Sequence, residues 1–241
     1  MKLLENTSFC ALASALSVET ADCRIETRLE SYSCKMLAQD KRVWKGICGS
    51  PNDYEALSPP LDEDIFGVNL ATMHHHQHSP QTTSFLDATK SEDEHSPQVL
   101  RDSISRRSLF YLTSTLNACF PDYDFSDARG EHFSRVPSIE ALMVIVDSKL
   151  SPILDGYGSQ LRNTLWSSID KEICLRDCCI YIYTQDQTSD PFSSDGAIWS
   201  FNYFFYNKKM KRIVFFSCRA LRQQVAVAPE EYQTQWSMEE A

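Results

Sequence analysis

Trp199-Ser-Phe-Asn-Tyr-Phe-Phe-Tyr-Asn207-Lys-Lys-Met-Lys-Arg212-Ile-Val-Phe-Phe-Ser-Cys-Arg219 reads as two aromatic strands joined by a basic turn. Side chains alternate across a strand, so the first segment presents Trp199, Phe201, Tyr203 and Phe205 on one face. Its other face carries Ile198, Phe204 and Tyr206, with polar Ser200 and Asn202 between them. In the second segment Val214 and Phe216 oppose Ile213 and Phe215. A strand that is apolar on both faces needs cover on both faces. The short turn near Lys208-Lys209 makes the pair an antiparallel hairpin. Each fully buried Phe or Trp contributes about 2–3 kcal/mol, so the run is first a stability element.

The flanking sequence supplies the cover. Cys179-Ile-Tyr-Ile-Tyr183 is a third strand, again apolar on both faces. Folded sequence begins again at Ser105, and Leu109, Leu112 and Leu116 mark a helix face that stops before Pro121. Ser138 caps a second helix, whose stripe is Ile139, Leu142, Met143, Val146, Leu150, Ile153 and Leu154. Pro152 sits in its last turn, where it kinks or ends the helix. A third helix carries Leu161, Leu165, Ile169 and Ile173. Nearer the N-terminus, Phe9, Leu12 and Leu16 recur at helical spacing with Thr7 or Ser8 as the cap, and Arg24 to Glu30 alternates as a half-buried strand. The expected fold class is α/β of the α+β type: a single domain whose mainly antiparallel sheet is covered by helices on both faces.

Between residues 40 and 101 the texture changes. Half of the ten prolines fall there, among Ser, Thr, Asp and a histidine tract. Structureless stretches of that length inside a compact domain are uncommon and point to disorder. The expected organisation is therefore residues 1–39 and 102–222 as one globular domain, residues 40–101 as a mobile regulatory insertion, and residues 223–241 as an acidic flexible tail. Such an insertion costs little, since each doubling of loop length adds only about 0.6 kcal/mol.

Composition narrows the function classes. The 241 residues carry a formal charge of -10, which argues against general nucleic-acid binding. The charge is uneven: Ile198 to Arg222 contains Lys208, Lys209, Lys211, Arg212, Arg219 and Arg222 and no acid. No apolar stretch approaches the roughly 18 residues that span a bilayer, and Met1 to Asn6 lacks a signal peptide's apolar region. The nine cysteines follow no disulfide framework and read as buried thiols of a reducing compartment, cytosol or nucleus.

Several blocks resemble one family in the expected order. They are Met1-Lys-Leu-Leu-Glu-Asn with Leu29-Glu-Ser-Tyr-Ser-Cys-Lys35, then Ser105-Arg-Arg-Ser-Leu-Phe-Tyr-Leu112, then Pro121-Asp-Tyr-Asp-Phe-Ser126, and finally Ser189-Asp-Pro-Phe192 with the Trp199–Arg219 hairpin. The family is the eukaryotic Maf-type repressor of RNA polymerase III. The resemblance implies a non-enzymatic regulator without a cofactor. It implies binding to RNA polymerase III and hindrance of its recruitment by the initiation factor that contains the TATA-binding protein, lowering transfer-RNA and 5S ribosomal-RNA synthesis. It further implies control by growth-linked kinases and a phosphatase, with shuttling between nucleus and cytoplasm. A monomer is expected, with no direct contact to nucleic acid or membrane. The chain departs from better-known members in its histidine-rich insertion (His74, His75, His76 and His78) and its short acidic tail.

Candidate sites follow from both readings. Ser58-Pro59, Ser79-Pro80 and Ser96-Pro97 suit proline-directed kinases, although disordered sequence generates such pairs by composition alone. Ala56-Leu57-Ser58-Pro59-Pro60 also resembles a phosphorylated segment of the family. Arg106-Arg-Ser108 is either a basophilic kinase site or simply the opening of a helix. Lys208, Lys209, Lys211 and Arg212 form a contact patch, an import signal or a solvated turn; a rigid turn fits an extended-peptide receptor poorly. Asp122 and Asp124 are the alternative, a metal-dependent enzyme, against which stands the plainer reading of a turn capped by Asp. Cys174, Cys178 and Cys179 lack a second ligand pair, and His132 lacks partners for a nucleophile triad.

Overall fold

The computed structural model of the chain describes residues 1–20, 23–47, 53–60, 102–157, 159–184, 191–192 and 196–223. Its centre is the hairpin. β7 (Ala197–Asn207) and β8 (Arg212–Arg222) pair antiparallel, from Asn207↔Arg212 through Phe204↔Phe215 to Ala197↔Leu221, with a register shift between Ala197 and Trp199. β8 also pairs along its length with β2 (Cys23–Ser33), and β2 pairs with the short β1 (Lys2–Leu4). On the other side β7 pairs with β6 (Cys179–Tyr183), and β6 with β5 (Phe133–Val136). The six-stranded sheet has the order β1-β2-β8-β7-β6-β5, and every pairing in it is antiparallel. A separate two-stranded ribbon joins β3 (Tyr54–Ala56) to β4 (Ser103–Ser105).

The alternation in the sequence sorts the core into two layers. Phe201, Tyr203, Phe205, Val214, Phe216 and Cys218 face a cluster with α1 (Thr7–Leu16), α4 (Ile139–Tyr157) and α5 (Ser159–Ile173). Phe204, Tyr206, Ile213 and Phe215 face a second cluster with α3 (Arg106–Cys119). The sheet is thus covered on both faces, as expected. α2 (Ala38–Ile47) joins the second layer through Trp44, whose ring meets Phe110 edge-on at 5.2 Å.

Local signals placed most elements well. The cap of α1 is Asn6, not Thr7 or Ser8: its side chain accepts the Phe9 amide at 3.1 Å. Pro152 does not end α4, which continues to Tyr157. The larger correction concerns residues 40–101. Residues 40–47 and 53–60 are built into the fold through α2, β3 and Leu57, which is buried against the second layer. Residues 61–101 lie outside the described residues, as do residues 224–241 of the tail.

Candidate functional site

The basic cluster lies at the tip of the hairpin. Asn207 and Arg212 face each other across the strands, and Lys208, Lys209, Met210 and Lys211 form the loop. Asn207 is buried and organises it: its amide nitrogen donates to the Ile173 carbonyl at 2.8 Å, and its amide oxygen accepts the Met210 N–H at 3.0 Å. Lys211 takes a left-handed backbone, φ 52°, which is uncommon for a side chain other than glycine. Its carbonyl accepts the Cys34 N–H at 2.9 Å, tying the loop to the end of β2.

That tie and the strand register enlarge the patch beyond the four residues named from the sequence. Lys2 pairs with Ser33, and Ser33 with Arg212, so Lys2 and the residues that follow β2 lie at the tip's end of the sheet. Lys2, Lys35, Lys208, Lys209 and Lys211 are exposed there, with exposed Leu3, Leu37 and Met210 among them. Only long-range register brings Lys2 and Lys35 in, so no local signal could have found them.

Arg212 does not belong with the free cations. Its guanidinium donates to the Glu172 carbonyl at 3.0 Å and to the Glu172 carboxylate at 2.9 Å. Glu172 also accepts from Ser31 Oγ at 2.7 Å and Asn6 Nδ2 at 3.0 Å. It therefore locks β8, β2, α1 and α5 together, a hub with no signature in the sequence. Lys209 reaches Asp177 at 3.4 Å while remaining 79% exposed, an ion pair of the kind worth about 0–1 kcal/mol. Among the described residues, Lys208 and Lys211 make no ion pair.

The phosphorylation candidates separate. Ser79 and Ser96 lie outside the described residues. Ser108 is buried in the first turn of α3, and its hydroxyl is 2.9 Å from that of the cap Ser105. Ser58 is not on a free loop but docked on the outer edge of β5. Its N–H donates to the Phe133 carbonyl at 2.9 Å, and it forms a parallel bridge with Ser134. Its hydroxyl donates to the Glu131 carbonyl, and Ser134 Oγ donates to the Pro59 carbonyl at 3.0 Å.

Asp124 caps a turn. Its carboxylate accepts the N–H and the hydroxyl of Ser126, which holds it below the usual carboxylate range. Phe125 beside it is buried, while Tyr123 is exposed. Among the described residues no three His, Cys, Asp or Glu side chains are grouped to hold a metal ion. Cys174 falls beyond the end of α5 in a left-handed conformation, and Cys178 is raised to about 12, first by burial. The His132 Nδ1 accepts the Arg129 N–H at 2.9 Å, as part of the turn before β5.

Sequence reasoning gave no role to a polar cluster under α3. Glu30 accepts from the Tyr32 hydroxyl at 2.6 Å and the Cys119 thiol at 3.3 Å, while Arg28 pairs with it at 3.1 Å. Burial first pushes both the Tyr32 phenol and the Cys119 thiol well above their ordinary values; after it, Cys119 raises the phenol further and the Glu30 carboxylate raises the thiol further. Both stay protonated and act as donors to one carboxylate.

The architecture is an antiparallel sheet sandwiched by helices, with a basic tip that carries exposed apolar side chains at one end. The chain belongs to the Maf1 family: the model described as "Maf1 regulator" matches residues 25–217. It is 34% identical over 226 residues to a Schizosaccharomyces pombe protein named repressor of RNA polymerase III transcription maf1, covering 94% of this chain and 85% of that one. A Dictyostelium discoideum protein of the same repressor description is 31% identical over 235 residues, covering 91% and 84%. The crystal structure of citrus MAF1 superposes with a TM-score of 0.59 at 27% identity, covering 89% of this chain and 98% of that one.

Proposed function

We propose that this protein is a repressor of RNA polymerase III transcription that acts by binding the polymerase. The observation that carries the reading is the 34% identity to a repressor of that name over nearly the whole chain. In the finer form of the proposal, the protein blocks recruitment of the polymerase by the initiation factor that contains the TATA-binding protein, and so lowers transfer-RNA and 5S ribosomal-RNA synthesis. It acts as a monomer, without catalysis.

The basic tip is the surface proposed to meet the polymerase. Lys2, Lys35, Lys208, Lys209 and Lys211 concentrate positive charge at one end of a chain whose formal charge is -10, with three exposed apolar side chains among them. Charge of one sign at an interface governs encounter and specificity more than raw affinity. The rigidity of the tip favours a folded partner surface over an import receptor that reads extended peptides.

Phosphorylation is proposed as the control, with growth-linked kinases weakening repression and nuclear residence and a phosphatase restoring both. Each phosphate adds about -1.5 to -2 charges. At Ser58 that charge has a physical consequence, because its hydroxyl already donates to the Glu131 carbonyl at the edge of the sheet.

The decisive test is factor-directed transcription of a transfer-RNA gene by purified RNA polymerase III. Unphosphorylated protein is added before or after the initiation complex assembles. Inhibition is expected only when it is added first. No inhibition in either order by folded protein would sink the proposal; inhibition in both would leave repression standing and remove the recruitment step.

A further inference from the structure

We infer that residues 57–60 are a detachable strap sealing the edge of β5, and that Ser58 is its latch, opened by phosphorylation. The inference rests on the phosphorylation-controlled reading above and adds what the phosphate does. β5 ends the six-stranded sheet, so its outer backbone groups have no strand beyond them in that sheet. Free edges invite pairing with other chains and are covered in native folds. Here the cover is the strap. Ser58 bridges to Ser134 in parallel, and Pro59 and Pro60, which have no N–H, keep the strap from becoming a new pairing edge itself.

The strap is held by a few localised contacts. Leu57 is buried in the second layer, and its N–H donates to the Asp102 carbonyl at 2.8 Å. The Ser58 N–H and the Ser134 hydroxyl supply two more bonds, at 2.9 and 3.0 Å. Upstream, Glu55 accepts the Gly130 N–H at 2.9 Å, and a Cβ at Gly130 would sit 2.5 Å from the Ala56 carbonyl oxygen, so only glycine permits the approach. The Arg106 N–H donates to the Asp53 carbonyl, which ties the ribbon upstream of the strap to the first turn of α3.

The latch is the Ser58 hydroxyl, a donor aimed at the Glu131 carbonyl. Transfer of the terminal phosphoryl group of ATP by a kinase forms an Oγ–P bond and breaks the P–O bond to the ADP leaving group. The hydroxyl proton goes to solvent, so the donor is lost. Roughly two negative charges then stand against a carbonyl oxygen that had accepted a hydrogen bond. Because the hydroxyl is engaged when docked, the kinase acts on strap that has frayed, and the phosphate then prevents its return.

The test installs phosphoserine at position 58 of the full chain and follows amide hydrogen exchange by NMR. Exchange of the Leu57 and Ser58 amides is expected to rise at least tenfold, with β7 and β8 unchanged. Strap rates within twofold of the unmodified protein would overturn the latch. Slower rates would overturn it too, and would mean that a cation such as Arg135 captures the phosphate in place. If the sheet amides also lose protection, Ser58→Ala replaces the modification, since it removes only the hydroxyl bond to the Glu131 carbonyl. Several-fold faster strap exchange then supports the latch, and unchanged rates overturn it. Repression by the same phosphoprotein separates the two readings. An open strap with full repression would remove phosphorylation control and keep the latch, whereas lost repression with a closed strap would do the reverse.

Discussion

The two faces of the sheet are built on different terms. The first packs against three helices, α1, α4 and α5, over a broad apolar core from Ile25 and Leu29 through Phe205 and Phe216 to Ala220. Its polar groups, buried Ser31 and Asn207 and half-buried Arg212, are bonded to one helix, α5, toward the tip. The second has one helix lying on it, α3, completed by α2, loops and the strap, and it pairs a chain of aromatic rings with buried polar groups. Tyr183, Phe133, Phe204 and Phe215 succeed one another at centroid distances of 4.8 to 6.0 Å. Beyond the rings the same face carries Asn202 hydrogen-bonded to Ser217 at 2.7 Å and Arg219 bonded to Glu26 at 2.7 Å. One face is closed by contiguous helices; the other is closed piecemeal, and pieces can open singly. A regulated surface belongs on the second.

The sharpest way to break that comparison is to damage the closed face. Phe216 is fully buried and packs edge-on against Trp166 at 6.4 Å and Phe201 at 5.2 Å. Phe216→Ala is expected to cost about 3–5 kcal/mol in chemical denaturation and to lower the protection of all central strands together. Loss confined to a few amides would mean that the first face is also assembled in parts. Leu57→Ala on the strap is expected to cost less, about 2 kcal/mol, because the strap can settle toward the gap. Its effect should appear as local exchange in residues 57–59 with β7 and β8 intact. A global loss equal to that of Phe216→Ala would erase the distinction between the faces.

Legibility followed the same division. The period-two run at β7 and β8 and the helical stripe of α4 are long, so the sheet, its cover on both faces and four helix positions could be read locally. Leu57 is a lone apolar residue between an acid-bearing ribbon and two prolines, so nothing local marks it as core. α2 is mostly polar, and Trp44 earns its place only by meeting Phe110, far off in sequence. At the tip the cluster of Lys208, Lys209 and Lys211 was visible, but Glu172's capture of Arg212 and the arrival of Lys2 and Lys35 depend on register across the sheet.

Alkaline pH separates buried thiols and phenols from exposed ones. Burial raises Cys218 on the first face, and Cys34 and Tyr181 on the second, to about 12. Thiols in the unfolded chain titrate near 9.0 and phenols near 10.0. Above those values the unfolded state has released protons that the folded state still holds, so stability falls as pH rises. The contribution is complete below pH 9 and is lost progressively toward about 12. Denaturation midpoints are expected to hold level from pH 7 to 8.5 and then decline. At pH 8, exposed Cys10 should react with a thiol reagent while Cys34, Cys119 and Cys218 stay protected. Prompt labelling of Cys34 and Cys119 with Cys218 still protected would show that the second face breathes as a whole and not by single pieces.

The smallest expected effect on stability carries the most weight for function. Lys208 and Lys211 are exposed at the tip and pair with no acid among the described residues, so Lys208→Glu with Lys211→Glu should move stability by no more than about 0.5 kcal/mol. Lys211 keeps its left-handed backbone in that variant, and Asn207 keeps the loop folded through bonds that involve neither side chain. Any loss of function would therefore belong to charge at the surface and not to the fold. Association with purified polymerase is expected to weaken at least tenfold at low salt, with a smaller difference at high salt as screening shortens the reach of the field. Arg212→Ala is the contrasting variant, since Arg212 spends its guanidinium on Glu172 inside the fold. It should cost stability and leave the salt dependence of binding unaltered. If the two lysines can be reversed in charge with no change in binding at any salt concentration, the tip is only a solvated turn, and the polymerase must be met elsewhere on the piecemeal face.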